Sequence, residues 1–570
     1  MIRRLTLLLT LSLTLTVSLP AAVASAQSGR TPAPARNGMV VSSHYLASEA
    51  GTQILQDGGN AVDAAIATAF ALAVTLPSAG NVGGGGFLLY HGANGDVTTF
   101  NFREKAPLAA TANMFLDETG EIRDDSNHEG LLSVGVPGTV AGLYLAHQRL
   151  GSMPWSDLVA PAVKLAEEGF PSTWAMQGFL RSLQRNIDEY PTTAEAFLKN
   201  GTDMYEPGEV FRQPDLAATL RRIQENGHDG FYRGETARLV ADFMRANGGL
   251  ITEEDLAEYE AEELKPVHGT FRGYDIYGIP PPSSGGIGTI EMLNILEGFD
   301  LRRMGHNSAQ YLHVLTEAMR RSYADRARHL GDPNFNPDLP FDRLTSKEYA
   351  EELREGIDFF RASVSDSTDV HYAGESDETT HFSVADAEGN VVSMTYTLEY
   401  GYGSRIVVGG AGFLLNNEMG DFNPIPGRTT SRGLIGTEPN LVAPGKRMLS
   451  SMTPTIVARD GQPLMAIGTP GGRTIINTVV QVVLNVLEFD MDIGEAIEAP
   501  RIHHQWLPDR TNFENPGFSP DTKRLYEMMG HEVSERGTQG SAMGIYIDYE
   551  DDLIFGAADS RSFDGAAVGY

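Results

Sequence analysis

Residues 378–398 read ETTHFSVADAEGNVVSMTYTL. Two runs of alternating apolar and polar residues flank Ala387-Glu388-Gly389. Alternation with period two matches the pleat of a β-strand, so the stretch predicts a hairpin. A three-residue hairpin loop wants a left-handed residue at its last position, and Gly389 supplies it without a Cβ penalty. Asp386 then pairs with Asn390, and counting outward sets Thr379 opposite Thr397. A slip of one residue would break that pairing. The preceding run, ASVSDSTDVHYAGESDE (362–378), has no periodicity and few apolar residues. It reads as an exposed, mobile linker.

A threonine hydroxyl is a weak nucleophile that needs a base beside it. An N-terminal threonine carries its own in the α-amine, whose reference pKa of about 7.7–8 suits proton transfer near neutral pH. Thr379 is internal, so the Glu378–Thr379 bond would first have to break. The Thr379 hydroxyl would attack the Glu378 carbonyl, and the resulting ester would hydrolyse. The residues alone leave a second reading open, because Thr–Thr cross-strand pairs also simply stabilise sheets.

Outward from the hairpin the chain mixes helix and strand. Residues 45–57 carry a helical pattern that stops at Gly58-Gly59, and Asn60 caps a small, apolar helix that must be buried all round. A glycine run leads into a strand over 81–91, and alternation continues through 97–102. Residues 140–240 read mostly as helices, and 308–330 as one long amphipathic helix capped by Ser308. Residues 455–468 read as a strand and 473–489 as a helix. That order predicts a layered α/β fold with the sheets central and helices outside.

The chain has 570 residues, a formal net charge of −32 and no cysteine. Such a field repels nucleic acid and anionic membrane surfaces. Disulfides, thiolate catalysis and cysteine metal sites are excluded. Arg3 and Arg4, an apolar run and Ala24-Ser25-Ala26 read as a secretory signal peptide, residues 1–26. The expected destination is exported, periplasmic or secreted, and no later stretch is apolar enough to span a bilayer.

The run 378–406, ETTHFSVADAEGNVVSMTYTLEYGYGSRI, resembles the nucleophile region of the γ-glutamyltranspeptidases, which are N-terminal nucleophile hydrolases. The agreement continues in AGNVGGGGF (79–87), FREKAP (102–107), VGVPGTVAG (134–142) and PPPSSGG (280–286). Further on it takes in LLNNEMGDF (414–422), KRMLSSMTPTIV (446–457), GTPGGRTIINTV (468–479) and DSRSFDGAAVGY (559–570). The resemblance implies an αββα sandwich and a precursor that cuts itself into a large subunit (27–378) and a small one (379–570), which stay together as a heterodimer. It implies transfer of the γ-glutamyl group of glutathione and related compounds to water, amino acids or dipeptides, with no cofactor or metal.

By the same resemblance, Thr379 is the nucleophile with its freed amine as base, and Thr397 supports it. Gly471 and Gly472 match the oxyanion hole. The residues agree, since a strand ending at Gly468 and a helix starting near Arg473 leave backbone N–H groups pointing outward. A phosphate loop would need the G-x-x-x-x-G-K-[ST] spacing, which is absent. Arg103, with Ser450 and Ser451, matches the grip on the donor's α-carboxylate, a task that suits a guanidinium. Glu399, Glu418 and Asp421 match the α-ammonium site, and without a cation they would raise one another's pKa. Read alone, Arg103 is a surface strand residue, the serines are turn residues and the acids a solvated face. Residues 423–449 match a loop that covers the pocket, with Arg432 where an aromatic gate often stands. The alternatives are an amidase or acylase of the same superfamily, such as a cephalosporin acylase, an unprocessed non-catalytic homologue, and a metal hydrolase using His503 and His504. Adjacent strand residues point to opposite faces, which makes those histidines a poor ligand pair.

Overall fold

The computed structural model describes residues 31–184, 187, 190–365 and 379–570. The signal-peptide stretch, Glu378 and most of the acidic linker lie outside the described residues.

The hairpin forms in the predicted register. Strands Thr380–Asp386 and Val391–Thr397 pair antiparallel, with Thr380 opposite Tyr396 and Ala385 opposite Val391. Gly389 sits at φ 88°. The Asp386 carboxylate accepts from the Glu388 and Asn390 N–H groups, which fixes the tip. The hairpin lies at the centre of a seven-stranded antiparallel sheet. Gly38–Ser42 and Ala566–Gly569 flank it on one side, and Gly85–His91, Val97–Asn101 and Glu262–Leu264 on the other.

A second seven-stranded sheet packs against the first. Ala385 and Val391 of the hairpin face it, in a core shared with Ile456, Ala466 and Ile545. The opposite hairpin face, Phe382, Val384, Val392 and Met394, packs on a helical layer that includes Ala61–Thr75. The far face of the second sheet is covered by helices Gly285–Leu296, Ala309–His329 and Thr474–Leu487. The order is helix, sheet, sheet, helix, so both faces of the hairpin are buried.

The polar residues of the hairpin therefore turn into the molecule and must find partners there. His381 Nδ1 lies 2.8 Å from Thr395 Oγ1, and Ser383 and Ser393 donate to the carbonyls of Met543 and Ile467. Asn60 caps Ala61–Thr75 through a reciprocal capping box with Asp63, and every residue of that helix is buried. Ser308 caps Ala309–His329 by accepting from the Tyr311 N–H.

Two local readings change. Residues 455–468 are not one strand but two, Thr455–Arg459 and Gln462–Gly468, because Asp460 and Gly461 take φ of 53° and 80° and reverse the chain. The first residues of the linker are anchored rather than mobile. Ser363 donates its N–H (3.0 Å) and hydroxyl (2.5 Å) to Glu317, and the Ser365 N–H donates to Asp509. Bonds to ionised carboxylates hold even a featureless sequence.

Candidate active site

Thr379, Thr397, His381 and Ser383 occupy odd-numbered positions and so share the inter-sheet face of the hairpin. At its end the slot opens into a cavity of about 1020 Å³, open mouth included, with both threonines in its lining. Thr379 Oγ1 donates to Thr397 Oγ1 at 3.3 Å, and the Glu399 N–H donates to the same Thr397 oxygen at 2.9 Å. Thr397 is itself held in place. Asn81 Nδ2 donates to its carbonyl, while Asn81 Oδ1 accepts from the Gly84 N–H and the Thr139 hydroxyl. A Cβ on Gly84 would lie 2.0 Å from the Thr397 carbonyl oxygen, so the glycine run permits this close approach.

Arg103 is fully buried and faces Glu418 Oε2 at 2.6 Å and Glu104 Oε2 at 3.3 Å. Its Nη2 also pairs with Asp421. Burial alone would lower the Arg103 pKa, but Glu418, Glu104 and Asp421 together hold it above its ordinary value. Burial lifts the Glu104 carboxyl to about 7 against the pull of Arg103. Burial also pushes Glu418 well up, and neighbouring Glu104, Asp421 and Glu399 add to the shift while Arg103 opposes it. One guanidinium thus cannot neutralise all these acids, and room remains for a second cation. Glu399 turns into the cavity at φ 80°, a left-handed conformation costly for a non-glycine residue. His128 Nδ1 lies 3.0 Å from its carboxylate.

Ser450 and Ser451 close the same cavity from the segment just ahead of strand Thr455–Arg459 of the second sheet. Ser284 holds the Ser450 carbonyl with both its N–H and its hydroxyl, and Arg326 reaches from the long helix to Ser451 Oγ at 3.0 Å. Gly472 lines the cavity, while its neighbour Gly471 lies one residue behind it and outside the lining. Both glycines take positive φ, 134° and 53°, and the helix Thr474–Leu487 begins just beyond. Asn423, Pro424, Gly433 and Leu434 place the 423–449 loop along the cavity wall.

Every expected site residue except Glu378 and Gly471 is thus brought to one cavity. His503 and His504 are not a pair there. His503 binds Asn477 and Gln505, and His504 faces Asp509. His313, Glu317 and His531 do cluster, but Glu317 is already held by Arg320 and Arg321, and His313 is hydrogen-bonded to His531. The sequence reading missed the asparagine clamps. Asn416 joins Gly83, Gly135 and the Glu418 N–H, and so ties three of the quoted motifs together. Its signal was its place inside LLNNEMGDF, as that of Asn81 was AGNVGGGGF. His128 and Arg326 carried no such signal.

Two antiparallel sheets face to face between helical layers, with a threonine at the end of the slot between them, define the architecture of the N-terminal nucleophile hydrolases. The gamma-glutamyltranspeptidase family model matches residues 47–570, and the chain belongs to that family. A glutathione hydrolase proenzyme of Escherichia coli (strain K12) is 45% identical over 542 residues, which cover 95% of this chain and 93% of the relative. The crystal structure of a cephalosporin acylase from Bacillus halodurans matches with a TM-score of 0.83 at 29% identity, covering 98% of this chain and 99% of that one. A Helicobacter pylori gamma-glutamyltranspeptidase chain matches with a TM-score of 0.55 at 44% identity, covering 56% of this chain and 91% of its own length.

Proposed function

We propose that this protein is an exported, self-processing γ-glutamyltransferase and glutathione hydrolase. The observation that carries the reading is the Thr379–Thr397 hydroxyl pair on the floor of a cavity that also holds Arg103 and a group of acids. In processing, Thr379 Oγ1 attacks the Glu378 carbonyl and the peptide C–N bond breaks. Water then hydrolyses the ester, leaving Glu378 with a carboxylate and Thr379 with a free amine. In turnover that amine takes the hydroxyl proton as Oγ1 attacks the γ-carbonyl, and passes it to the departing amine. The N–H groups of Gly471 and Gly472 would stabilise the oxyanion, worth roughly 3–4 kcal/mol per donor. Water or an acceptor amine then attacks the γ-glutamyl ester. Arg103 with Ser450 and Ser451 would hold the donor's α-carboxylate, and Glu399, Glu418 and Asp421 its α-ammonium.

Support for a precursor split into residues 27–378 and 379–570 comes from the word proenzyme in the name of the E. coli relative, and from the H. pylori chain that accounts for little more than half of this one. A denaturing gel tests it. Wild type should run as two fragments and Thr379→Ala as one. A single-chain wild type that still releases glutamate from glutathione would overturn the mechanism. The cephalosporin acylase likeness keeps an acylase reading in view. Arg103 and the acids suit a free amino-acid end, so glutathione should be cleaved far faster than a cephalosporin side chain. Export rests on the leader sequence, and mass spectrometry of the mature protein should find Gln27 at the N-terminus.

A further inference from the structure

A second groove opens beside the catalytic cavity, and the two share Gly433 in their walls. Arg432 reaches it from the covering loop, Arg510 from the turn beyond His504, and Arg536 from the end of strand Val533–Arg536. Three guanidiniums along one groove stand out in a chain with 75 acidic and 43 basic residues. Many other arginines are committed to carboxylates, as Arg103 is to Glu418, Arg501 to Asp559 and Arg561 to Glu514. Arg432 and Arg510 are exposed, and neither makes an ion pair among the described residues. The one acid in the lining, Glu535, is already paired with Lys523.

A chain of contacts links the groove to the cavity that holds Thr379. Tyr323 donates to the Arg473 carbonyl beside Gly472, and its ring meets His503 edge-on at 5.8 Å. His503 in turn lines the groove. Gly433, at φ 106°, lets the covering loop lie against Leu507, whose carbonyl oxygen would be 3.1 Å from a Cβ there.

We propose that this groove is the subsite for the carboxylate of the amine partner, the amino acid or peptide that leaves when the ester forms and the one that enters when an acceptor attacks. The inference rests on the γ-glutamyl reading above. Leaving amine and acceptor amine must occupy the same place relative to Thr379, because one step is chemically the reverse of the other. A dipeptide carries its carboxylate about 7 Å beyond that amine, at roughly 3.3–3.6 Å per extended residue. Guanidinium forks match a carboxylate bidentately. Local positive charge also offsets the field of a protein of net charge −32, which would otherwise repel an anionic acceptor.

The test compares glycylglycine with its C-terminal amide as acceptors, using γ-glutamyl-p-nitroanilide as donor. The readout is the ratio of kcat/KM for the acid over the amide. Wild type should prefer the acid. Arg432→Gln and Arg510→Gln should each lower the ratio about fivefold, as expected for a solvent-facing ion pair, and Arg432→Lys should keep most of it. Raising salt should erode the wild-type preference and leave the double variant unmoved. Fragment pattern and melting temperature confirm that each variant has folded. A wild type indifferent to the amide, or a double variant with an unchanged ratio, overturns the proposal. A wild type that releases no p-nitroaniline sinks the γ-glutamyl reading instead. Calorimetric binding of glycylglycine and its amide then decides the groove, and equal affinities overturn it.

Discussion

At Arg103 a single guanidinium faces Glu104, Glu418 and Asp421, and burial has already pushed Glu104 to about 7 and Glu418 well above its usual range. An α-ammonium bound there as proposed would favour the ionised form of these acids, so binding should release protons. Affinity should then rise as the pH climbs from about 6 to 8. Calorimetry with L-glutamate in two buffers of different ionisation enthalpy would show this, and identical heats in both would refute it. Glu418→Gln should reduce the proton release and raise the donor KM roughly tenfold, the scale of one charged hydrogen bond. Arg103→Ala leaves the buried acids without their cation and should cost about 3–5 kcal/mol of stability by urea unfolding.

At the scale of elements, the hairpin works only because its neighbours come close. Gly84 lies against the Thr397 carbonyl, and Asn81 binds that carbonyl while also holding Thr139 at the start of helix Thr139–Leu150. Gly84→Ala would force this junction apart. We expect a loss of about 1–3 kcal/mol and failure to process into two fragments, because the displaced strand end carries the partner of Thr379. Asn60→Ala provides the contrast. It removes a helix cap remote from the cavity and should lower stability by about 1 kcal/mol with processing intact. Equal processing defects in both variants would show that the fragment pattern reports stability rather than geometry.

For the whole molecule, buried titratable groups set the response to acid. Burial lowers His44, His381 and His531 to about 3 and His503 to about 4, from 6.5. Below about pH 6.5 the unfolded chain takes up protons that these histidines refuse, so stability falls as the pH drops. Glu104, Glu418 and Glu291 act oppositely. Their raised values mean that the native state keeps protons which the unfolded chain loses above about pH 4.5, so acid favours folding in that window. Between about pH 6.5 and 4.5 the three acids offset most of the loss from the four histidines and leave about one group uncompensated. Below that, the acids no longer help. Glu317, held down to about 2 because Ser363, Arg320 and Arg321 outweigh its burial, then joins the histidines. Urea midpoints should fall gently from about pH 6.5 to 4.5 and several times more steeply from about pH 4.5 to 3.5. Each group contributes at most about 1.4 kcal/mol per pH unit.

The sequence by itself determined the hairpin register, the caps at Asn60 and Ser308, and the glycine turn ahead of Thr474. Each of these is written within a few residues by side-chain period, turn chemistry or a capping side chain. The same local logic missed the reversal at Asp460-Gly461, where two short strands share one apolar texture. The tertiary structure alone decided sheet order, the burial of the hairpin's polar face, and the meeting of Arg103 with Glu418 and Asp421 more than three hundred residues away. It also set Arg432, Arg510 and Arg536 along one groove. Charge pairing and burial depend on which segments pack together, and no periodicity in the chain records that.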